Sequence, residues 1–322
     1  MKTVLLTNKY TGVPLSIVEA EVPQGFAIHF LSAQTQEALL AEVADADYIL
    51  AGGRLKITKD VLDRAEKLRM IQRSGVGLDA LDLDAIREKG IPLYVNQGVN
   101  AESVAEHALL LILACLRRLP TIDRNTKNGI WKKQEQGVRT AELKGKTVGI
   151  IGMGNIARTL VGLLKPFQVN ILYYDVFRMS ADFEAENHMT FVGMDQLLAQ
   201  ADLITIHCAL TSETRNLFNS ASIQQMKDSA ILINAARGEI VDSSALADAL
   251  RNGKLSYAAL DVHAQEPIPA DYPLIGLDNV ILTPHIAGVT RDSFQTMMHD
   301  AFRNIECFER GDLESIAPYR YL

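Results

Sequence analysis

The sequence contains few cysteines and no long apolar run. Its three cysteines, Cys115, Cys208 and Cys307, lie far apart, and none belongs to a C-x-x-C pair. This pattern argues against a disulfide framework and a structural zinc site and indicates a reducing compartment, so we expect a cytoplasmic protein without a bound metal. The longest apolar stretch, 108–116, is far shorter than the roughly 20 residues needed to cross a bilayer, so no membrane-spanning helix is predicted.

The sequence also lacks any long basic block. Lys and Arg number 32 against 39 Asp and Glu, which gives a formal net charge of -7. A mildly acidic chain of this kind gives no indication of a nucleic-acid or anionic-membrane partner. With 48% hydrophobic and 22% charged residues, the composition is that of a globular protein. Because 322 residues exceed what one hydrophobic core usually fills, two domains are expected.

Short apolar strands alternate with helical patterns, which predicts parallel sheets built from βαβ units. In the first series, strands are predicted at 3–7, 27–31, 48–51, 70–71 and 92–95, with helices at 35–44, 58–65 and 82–89. A long helix over 101–118, ended near Pro120, and an irregular connection over 121–144 follow. In the second series, strands are predicted at 147–151, 170–174, 202–206, 231–233, 258–260 and 280–282, with a last helix over 291–310.

A glycine-rich turn opens the second series. Residues 152–157 read G-x-G-x-x-A after an apolar strand and before a helical pattern. In such a turn Gly152 permits the tight bend, Gly154 lets a pyrophosphate approach the backbone, and small Ala157 allows the helix to pack on the strand. The helix N-terminus then offers N–H groups and the positive end of its dipole to the phosphates. The pattern predicts a dinucleotide site, the alternative being a packing turn without a ligand.

The acid that follows the next strand specifies which dinucleotide is expected. Asp175 comes about 20 residues after the first glycine, where a carboxylate accepts the hydroxyl groups of the adenosine ribose. A carboxylate there also repels a 2′-phosphate, so NAD is expected rather than NADP. Arg178 in the same loop leaves NADP open as an alternative, because an arginine there can bind that phosphate.

Three loops that follow strands of the second series carry catalytic candidates. Arg237, Glu266 and His285 each lie just beyond a predicted strand, and loops at the carboxyl ends of parallel strands line the ligand crevice. Hydride transfer to a carbonyl carbon needs a proton for the oxygen, and histidine is its natural donor near neutral pH. A neighbouring carboxylate stabilises the imidazolium, and arginine holds a substrate carboxylate in a bidentate pair. Taken singly, each residue could instead be a surface ion pair, a solvated acid or a strand-end cap.

These features resemble the D-isomer-specific 2-hydroxyacid dehydrogenase family, which includes phosphoglycerate dehydrogenases and glyoxylate/hydroxypyruvate reductases. The similarity covers most of the chain and rests on several motifs in one order: R-S-G-V-G-L-D at 73–79, N-A-E-S-V-A-E-H at 100–107, the turn at 152–157, H-C-A-L-T at 207–211, and the segments around Arg237, Glu266 and His285.

The resemblance implies an architecture. It predicts two doubly wound parallel-sheet domains, Rossmann-like and flavodoxin-like, with an active site in the cleft between them. The substrate-binding domain would be discontinuous, comprising 1–100 and 288–322, and the NAD-binding domain would comprise 101–287. The family also implies a homodimer formed through the NAD-binding domain.

The resemblance also implies roles for individual residues. Arg237 would bind the 2-oxo acid, His285 would be the acid/base, and Glu266 would pair with His285. Backbone amides around Ser74, Gly75 and Val76 would receive the substrate carboxylate. Contacts to NAD would come from Val104, Gly152, Gly154, Asn155, Ile156, Asp175, Cys208, Ala209, Ala235 and Asp261, with Ala209 in place of a usual proline.

The expected activity is hydride transfer between NAD(H) and a small D-2-hydroxy acid/2-oxo acid pair. Glu266 disfavours the formate dehydrogenase branch, which carries glutamine there, and Val76 disfavours the phosphite dehydrogenases, which carry lysine. Gly52 stands where phosphoglycerate enzymes often have arginine, and nearby Arg54 leaves a phosphate-binding role open. The alternative is an NAD(H)-sensing, co-repressor-like binding protein of the same fold, because such proteins can retain the Arg–Glu–His set.

Overall fold

The computed structural model describes residues 1–322 and divides into two compact units. The first unit comprises Met1–Asn100 and Val289–Leu322, and the second comprises Ala101–Gly288. No helix in 1–322 combines the length and apolar character needed to cross a membrane.

Twelve strands and thirteen α-helices make up the two units. The strands are β1 (Lys2–Leu6), β2 (Phe26–Phe30), β3 (Tyr48–Ala51), β4 (Met70–Arg73), β5 (Leu93–Val95), β6 (Thr147–Ile151), β7 (Asn170–Tyr174), β8 (Met189–Phe191), β9 (Leu203–Ile206), β10 (Ala230–Asn234), β11 (Leu255–Leu260) and β12 (Val280–Leu282). The helices are α1 (Val13–Glu21), α2 (Gln36–Glu42), α3 (Lys59–Arg64), α4 (Leu83–Glu88), α5 (Ala101–Leu116), α6 (Leu119–Lys127), α7 (Lys133–Gly137), α8 (Asn155–Leu164), α9 (Ala181–Glu186), α10 (Met194–Gln200), α11 (Ser220–Gln225), α12 (Ser243–Arg251) and α13 (Arg291–Arg310).

The first unit is a five-stranded parallel sheet in the order β2-β1-β3-β4-β5. Alternate residues along a strand point to opposite faces, and both faces are apolar here. Leu5 packs into a core with α2, α3 and α4, whereas Val4 and Leu6 pack into a second core with α1 and α13. A sheet buried on both faces cannot alternate polar and apolar residues, which explains its continuous apolar strands.

The second unit is a seven-stranded parallel sheet in the order β12-β11-β10-β9-β6-β7-β8. The strand order reverses at β6, which lies between β9 and β7, and ligands bind at such a switch point in open α/β sheets. Val148 and Ile150 of β6 pack against α5 and α8, whereas Ile151 faces the core formed with α10, α11 and α12. The predicted fold class, α/β with two doubly wound parallel sheets, is confirmed.

Most element predictions match the observed bounds. The strands predicted at 48–51, 147–151, 170–174 and 280–282 and the last helix at 291–310 coincide with the observed elements, and the remaining predicted strands overlap observed strands. At the predicted helix 82–89, Asp82 accepts from the Ala85 N–H as the N-cap, and Gly90 beyond the end has a φ of 63°.

The irregular connection predicted over 121–144 was wrong. Arg118 adopts a left-handed conformation with a φ of 50° and ends the preceding helical run, so that α6 begins at Leu119 and a further helix, α7, follows it. Pro120 therefore starts a helix, since the first turn needs no proline N–H. The short edge strand β8 was also missed, because it has only three residues between polar segments.

Candidate active site

The glycine-rich turn lies between β6 and α8, at the switch point of the second sheet. Gly152 has a φ of 88°, and a Cβ there would lie 2.5 Å from the Cys208 backbone nitrogen. Only glycine fits such a conformation and such an approach of two backbones. The N-cap of α8 is Gly154, which provides no capping side chain, and its first turn carries no acidic residue. The first amides of α8, at Asn155 and Ile156, can therefore serve a phosphate.

Asp175 follows β7 and is fixed against this turn. Its Oδ2 accepts from the Met153 N–H at 2.6 Å, and its Oδ1 accepts from the Phe177 N–H at 2.9 Å. The structure thus brings the predicted ribose-binding carboxylate and the glycine-rich turn together. These residues fit a dinucleotide, because the turn leaves room for phosphates and the carboxylate retains lone pairs for hydroxyl groups.

Arg178, the residue that left NADP open, is held by a carboxylate. Its Nε and Nη2 donate to the two oxygens of Glu184 at 2.8 and 2.7 Å. The Tyr173 hydroxyl donates to the same carboxylate at 2.6 Å. Bonding to Arg178 and then to Tyr173 lowers the pKa of Glu184 to about 2. The guanidinium is therefore paired with a permanent anion near neutral pH.

Cys208 and Ala209 follow β9 on the other side of the turn. The Cys208 thiol is half-buried, and burial raises its pKa to about 11, so it stays protonated. Ala209 is exposed, and its carbonyl accepts from the Thr214 hydroxyl at 2.7 Å. This bond closes a turn where the family has a usual proline.

The loops carrying Arg237, Glu266 and His285 follow three neighbouring parallel strands. Asn234 at the end of β10 pairs with Leu260 at the end of β11, and Leu260 pairs with Leu282 at the end of β12. The three loops therefore start from one edge of the second sheet, the same edge as the glycine-rich turn. The convergence expected from the sequence is observed for these strand ends.

His285 and Glu266 form a direct pair. His285 Nδ1 lies 2.9 Å from Glu266 Oε2 and 3.1 Å from Oε1. Because a carboxylate only accepts, Nδ1 carries the proton in this contact and Nε2 is left for a ligand. Burial alone would raise the pKa of Glu266, but bonds from His285 and from the His263 N–H together hold that pKa below its usual value. Glu266 is thus an anion beside the imidazole.

Arg237 follows β10 in a loop packed tightly against the Glu266 loop. A Cβ at Gly238 would lie 2.0 Å from the His263 carbonyl carbon and 2.2 Å from the Ala264 nitrogen, so the backbones touch. Arg237 Nη1 donates to the Ala236 carbonyl at 2.7 Å, and the side chain is half-exposed. The guanidinium thus extends from an anchored loop, and Ala235 lies half-buried two residues before it.

Asp261 follows β11 and is completely buried. Its Oδ1 accepts from the Thr283 hydroxyl at 2.5 Å and the Ile286 N–H at 2.9 Å, and its Oδ2 accepts from the Ala287 N–H at 2.9 Å. A carboxylate accepts about four bonds, so roughly one position remains on Asp261 for a ligand donor.

The helix α5 adds two side chains to this region. Val104 is buried in the first turns of α5, and His107 lies one turn further along. His107 Nε2 is 3.3 Å from the Thr283 hydroxyl and 3.6 Å from Asp261 Oδ1. His107 is the last residue of the motif at 100–107, but the sequence assigned it no catalytic role, and Thr283 was not singled out. Spacing along α5 and the position of Thr283 directly after β12 were the available signals.

The segment 74–76 lies in the first unit, directly after β4. The Ser74 N–H and hydroxyl both donate to the Ala51 carbonyl at 3.1 Å, so the Ser74 amide is already used. Gly75 and Val76 donate their N–H groups to no protein acceptor in 1–322. Of the three amides predicted to receive a carboxylate, those of Gly75 and Val76 are therefore available.

The fold and these residues define the class of NAD-binding α/β proteins, and comparison with known proteins gives the family. Residues 109–287 match the model of the D-isomer specific 2-hydroxyacid dehydrogenase, NAD binding domain. The chain is 39% identical over 281 residues to a glyoxylate reductase of Thermofilum pendens, covering 87% of this chain and 83% of that protein. It is also 39% identical over 270 residues to a D-3-phosphoglycerate dehydrogenase of Archaeoglobus fulgidus, covering 84% of this chain but only 50% of that protein.

A solved structure agrees over nearly the whole chain. The D-lactate dehydrogenase of Aquifex aeolicus, complexed with NAD and lactic acid, superposes with a TM-score of 0.86 at 29% identity and covers 99% of this chain and 98% of that one. The chain therefore belongs to the D-isomer specific 2-hydroxyacid dehydrogenase family, as its motifs predicted, and its cofactor is NAD.

Proposed function

We propose that the protein transfers a hydride between NAD(H) and a small D-2-hydroxy acid/2-oxo acid pair. The observation that carries this proposal is the contact of 2.9 Å between His285 and Glu266 at the sheet edge where the dinucleotide turn lies. A histidine with an anionic partner at that edge is the arrangement that carbonyl reduction requires.

His285 is the acid/base. In reduction it donates the Nε2 proton to the carbonyl oxygen, and in oxidation it removes the hydroxyl proton through the same atom. Glu266 accepts from Nδ1, fixes the orientation of the ring and stabilises the imidazolium. The lowered pKa of Glu266 supports this role, because the carboxylate stays ionised when His285 is charged.

Arg237 binds the substrate in this scheme. Its guanidinium pairs with the carboxylate of the 2-oxo acid and polarises the neighbouring carbonyl. The close packing of Gly238 on His263 supports the role, because it fixes the Arg237 loop relative to the loop that carries Glu266.

NAD, when bound, accepts or supplies the hydride. The chain would hold it through the α8 N-terminus, with Gly152, Gly154, Asn155 and Ile156 for the pyrophosphate and Asp175 for the adenosine ribose. Cys208 and Ala209 would flank the adenosine half, whereas Val104, Ala235 and Asp261 would serve the nicotinamide. The Arg178–Glu184 pair supports NAD over NADP, because the arginine of the Asp175 loop is already bonded to a carboxylate.

The first unit is assigned to the substrate and the second to NAD. Gly75 and Val76 support the first assignment, because their amides follow a strand end and have no protein acceptor. Two neighbouring N–H groups of this kind suit a carboxylate.

The experiment is NADH oxidation with glyoxylate, hydroxypyruvate, pyruvate and 3-phosphohydroxypyruvate. We expect turnover with at least one of these acids. His285→Ala should abolish turnover but leave NADH binding within about twofold of wild type, because the His285 side chain transfers a proton and does not hold the dinucleotide. Tight NADH binding without reduction of any acid would point instead to a dinucleotide-sensing protein. His188→Asn, at an exposed position, is the matched histidine control.

A homodimer formed through the NAD-binding unit is part of the proposal. The segment after α5 exposes large apolar side chains, with Trp131 and Val138 each 82% exposed. Apolar side chains this exposed mark an interaction surface when they cluster. Trp131 is the only tryptophan, so its emission reports this surface directly. We expect a dimer by light scattering with blue-shifted emission, and Val138→Asp, which leaves Trp131 in place, should give a monomer with red-shifted emission.

A cytoplasmic location is also proposed. All three cysteines are free, and Cys115 and Cys307 are buried as thiols. Unpaired cysteines suit a reducing compartment. Fractionation of cells that produce the protein tests this, with recovery outside the cytoplasmic fraction as the contrary result.

A further inference from the structure

The backbone at His285 is strained. His285 has a φ of 56°, in the left-handed region that residues other than glycine seldom adopt. Such a conformation persists only where surrounding contacts hold it, and at functional sites it sets the direction of a side chain. The contacts that hold His285 therefore decide where its imidazole points.

Those contacts come from Asp261. The His285 N–H donates to the Asp261 carbonyl at 2.7 Å, and the next two amides, Ile286 and Ala287, donate to the Asp261 carboxylate at 2.9 Å each. Three consecutive N–H groups are thus gathered by one buried residue. The orientation of the Asp261 carboxylate then fixes the loop.

Thr283 fixes that carboxylate. Its hydroxyl donates to Asp261 Oδ1 at 2.5 Å, and because a carboxylate only accepts, the hydroxyl proton must point at Asp261. The remaining lone pairs of the hydroxyl face His107 Nε2 at 3.3 Å, so His107 must carry its proton on Nε2 and donate. A chain of donors therefore runs from α5 through Thr283 to Asp261.

The backbone of Thr283 is anchored as firmly as its side chain. Its N–H donates to the Leu260 carbonyl at 3.0 Å, and its carbonyl accepts from His263 Nε2 at 3.0 Å. The His263 N–H in turn donates to Glu266 at 3.0 Å. Thr283 thus lies between the segment that holds Glu266 and the segment that holds His285.

We propose that Thr283, with His107 behind it, is a positioning residue for His285: through the Asp261 carboxylate it holds the strained loop so that the imidazole meets both Glu266 and the substrate. This rests on the proposed function of His285 as acid/base. The Thr283 carbonyl also accepts from the His285 N–H at 3.1 Å, a backbone bond that side-chain substitution leaves in place. The Thr283 hydroxyl and His107 act on the loop through the Asp261 carboxylate.

The test compares Thr283→Val with Thr283→Ser. Valine keeps the shape but removes the donor, so the Asp261 carboxylate loses one of its bonds and the loop loosens. We expect kcat for 2-oxo acid reduction to fall about 10- to 100-fold, because small misplacements of a catalytic group have effects of this size. NADH affinity should fall far less, because, of the proposed NAD contacts, only that of Asp261 is disturbed. Serine restores the hydroxyl and should restore most of kcat.

A second measurement needs no turnover. Hydrogen exchange of the Ile286 and Ala287 amides should accelerate at least about tenfold in Thr283→Val and His107→Phe, and remain slow in Thr283→Ser, because these amides report opening of this loop alone. Ser256→Ala removes a half-buried hydroxyl from the opposite end of β11 and should change neither exchange nor kcat.

The outcomes separate this proposal from the function on which it rests. If wild type reduces no 2-oxo acid, the proposed function fails, and the exchange rates still decide whether Thr283 holds the loop. Unchanged exchange in Thr283→Val overturns the positioning role. A loss of kcat that serine does not restore, or a loss of NADH affinity as large as that of kcat, overturns it as well, because either result means general damage to the site.

Discussion

A half-buried histidine, whose Nδ1 is shielded from solvent, makes the stability of the second unit depend on pH. His207 follows β9, and its Nε2 bonds to the Thr205 hydroxyl at 2.8 Å, whereas its buried Nδ1 has no hydrogen-bond partner in 1–322. Burial is the one cause of the shift in its pKa, with no contribution from a neighbouring charge. Burial accordingly lowers the pKa of His207 to about 4, from an ordinary value of 6.5.

The magnitude follows from this difference. The unfolded chain takes up a proton at His207 as the pH falls through 6.5, but the folded protein does so only near pH 4. The stabilisation is therefore complete above pH 6.5 and is lost between pH 6.5 and 4. Each unit of pKa difference corresponds to about 1.4 kcal/mol, so the loss over this range is about 3 kcal/mol.

The perturbation is His207→Gln, which keeps a polar side chain that does not titrate. Urea unfolding, followed by circular dichroism between pH 7.5 and 4, gives the free energy of unfolding of both proteins. Other groups titrate equally in the two, so they cancel in the difference between them. The free energy of unfolding of wild type, taken relative to that of His207→Gln, should fall by about 3 kcal/mol from pH 7.5 to 4.

Two results would refute the reasoning. A difference that stays constant from pH 7.5 to 4 means that His207 has the same affinity for protons folded and unfolded. A change of the same size in His188→Asn, at an exposed position, means that the dependence does not come from burial. The m-value must also agree between the proteins, because a change there signals altered unfolding rather than altered proton binding.

Three further predictions concern the site. Asp175→Ala combined with Glu184→Gln should raise the ratio of NADP to NAD turnover by more than the two single changes predict together, because the first removes the repelling carboxylate and the second releases Arg178. Additive effects in a double-mutant cycle of kcat/KM values would contradict this. Gly238→Ala should lower kcat/KM sharply with little change in NADH affinity, because a Cβ 2.0 Å from the His263 backbone must push apart the loops of Arg237 and Glu266; steady-state kinetics and NADH fluorescence titration check both. Glu266→Gln should lower kcat for reduction about 100-fold at unchanged NADH affinity, because an amide does not stabilise the imidazolium; an unaffected kcat would remove Glu266 from the mechanism.

The regular part of the fold could be predicted from local patterns. The central strands of both sheets, such as β3, β6 and β9, are buried on both faces and appear as continuous apolar runs. The ends of β3, β6, β7 and β12 were predicted correctly. The family motifs then supplied an order in which to place them. The prediction was wrong for the region after α5, where Pro120 was interpreted as the end of a helix although proline also begins helices. A single proline does not distinguish the two without the conformation of its neighbours.

The site was predictable to the extent that residues follow strand ends. Arg237, Glu266 and His285 are each placed by a strand, and adjacent parallel strands deliver them to one edge whatever the loops do. The use of the Ser74 amide by the Ala51 carbonyl was not predictable in this way. That bond joins the ends of β4 and β3, and a sequence does not state which amides remain after such bonds form.

The supporting contacts were hidden for a related reason. Thr283 and His107 are separated by more than half the chain, and their meeting depends on where α5 crosses the ends of β11 and β12. A polar residue on an apolar helix predicts only that some buried partner exists. Which partner it finds depends on packing geometry. Here His107 donates to the Thr283 hydroxyl, and that hydroxyl donates to the Asp261 carboxylate that holds the His285 loop. The pairing of His285 with Glu266 can therefore be predicted from chemistry and strand order, but the direction of the imidazole depends on contacts that only the tertiary structure contains.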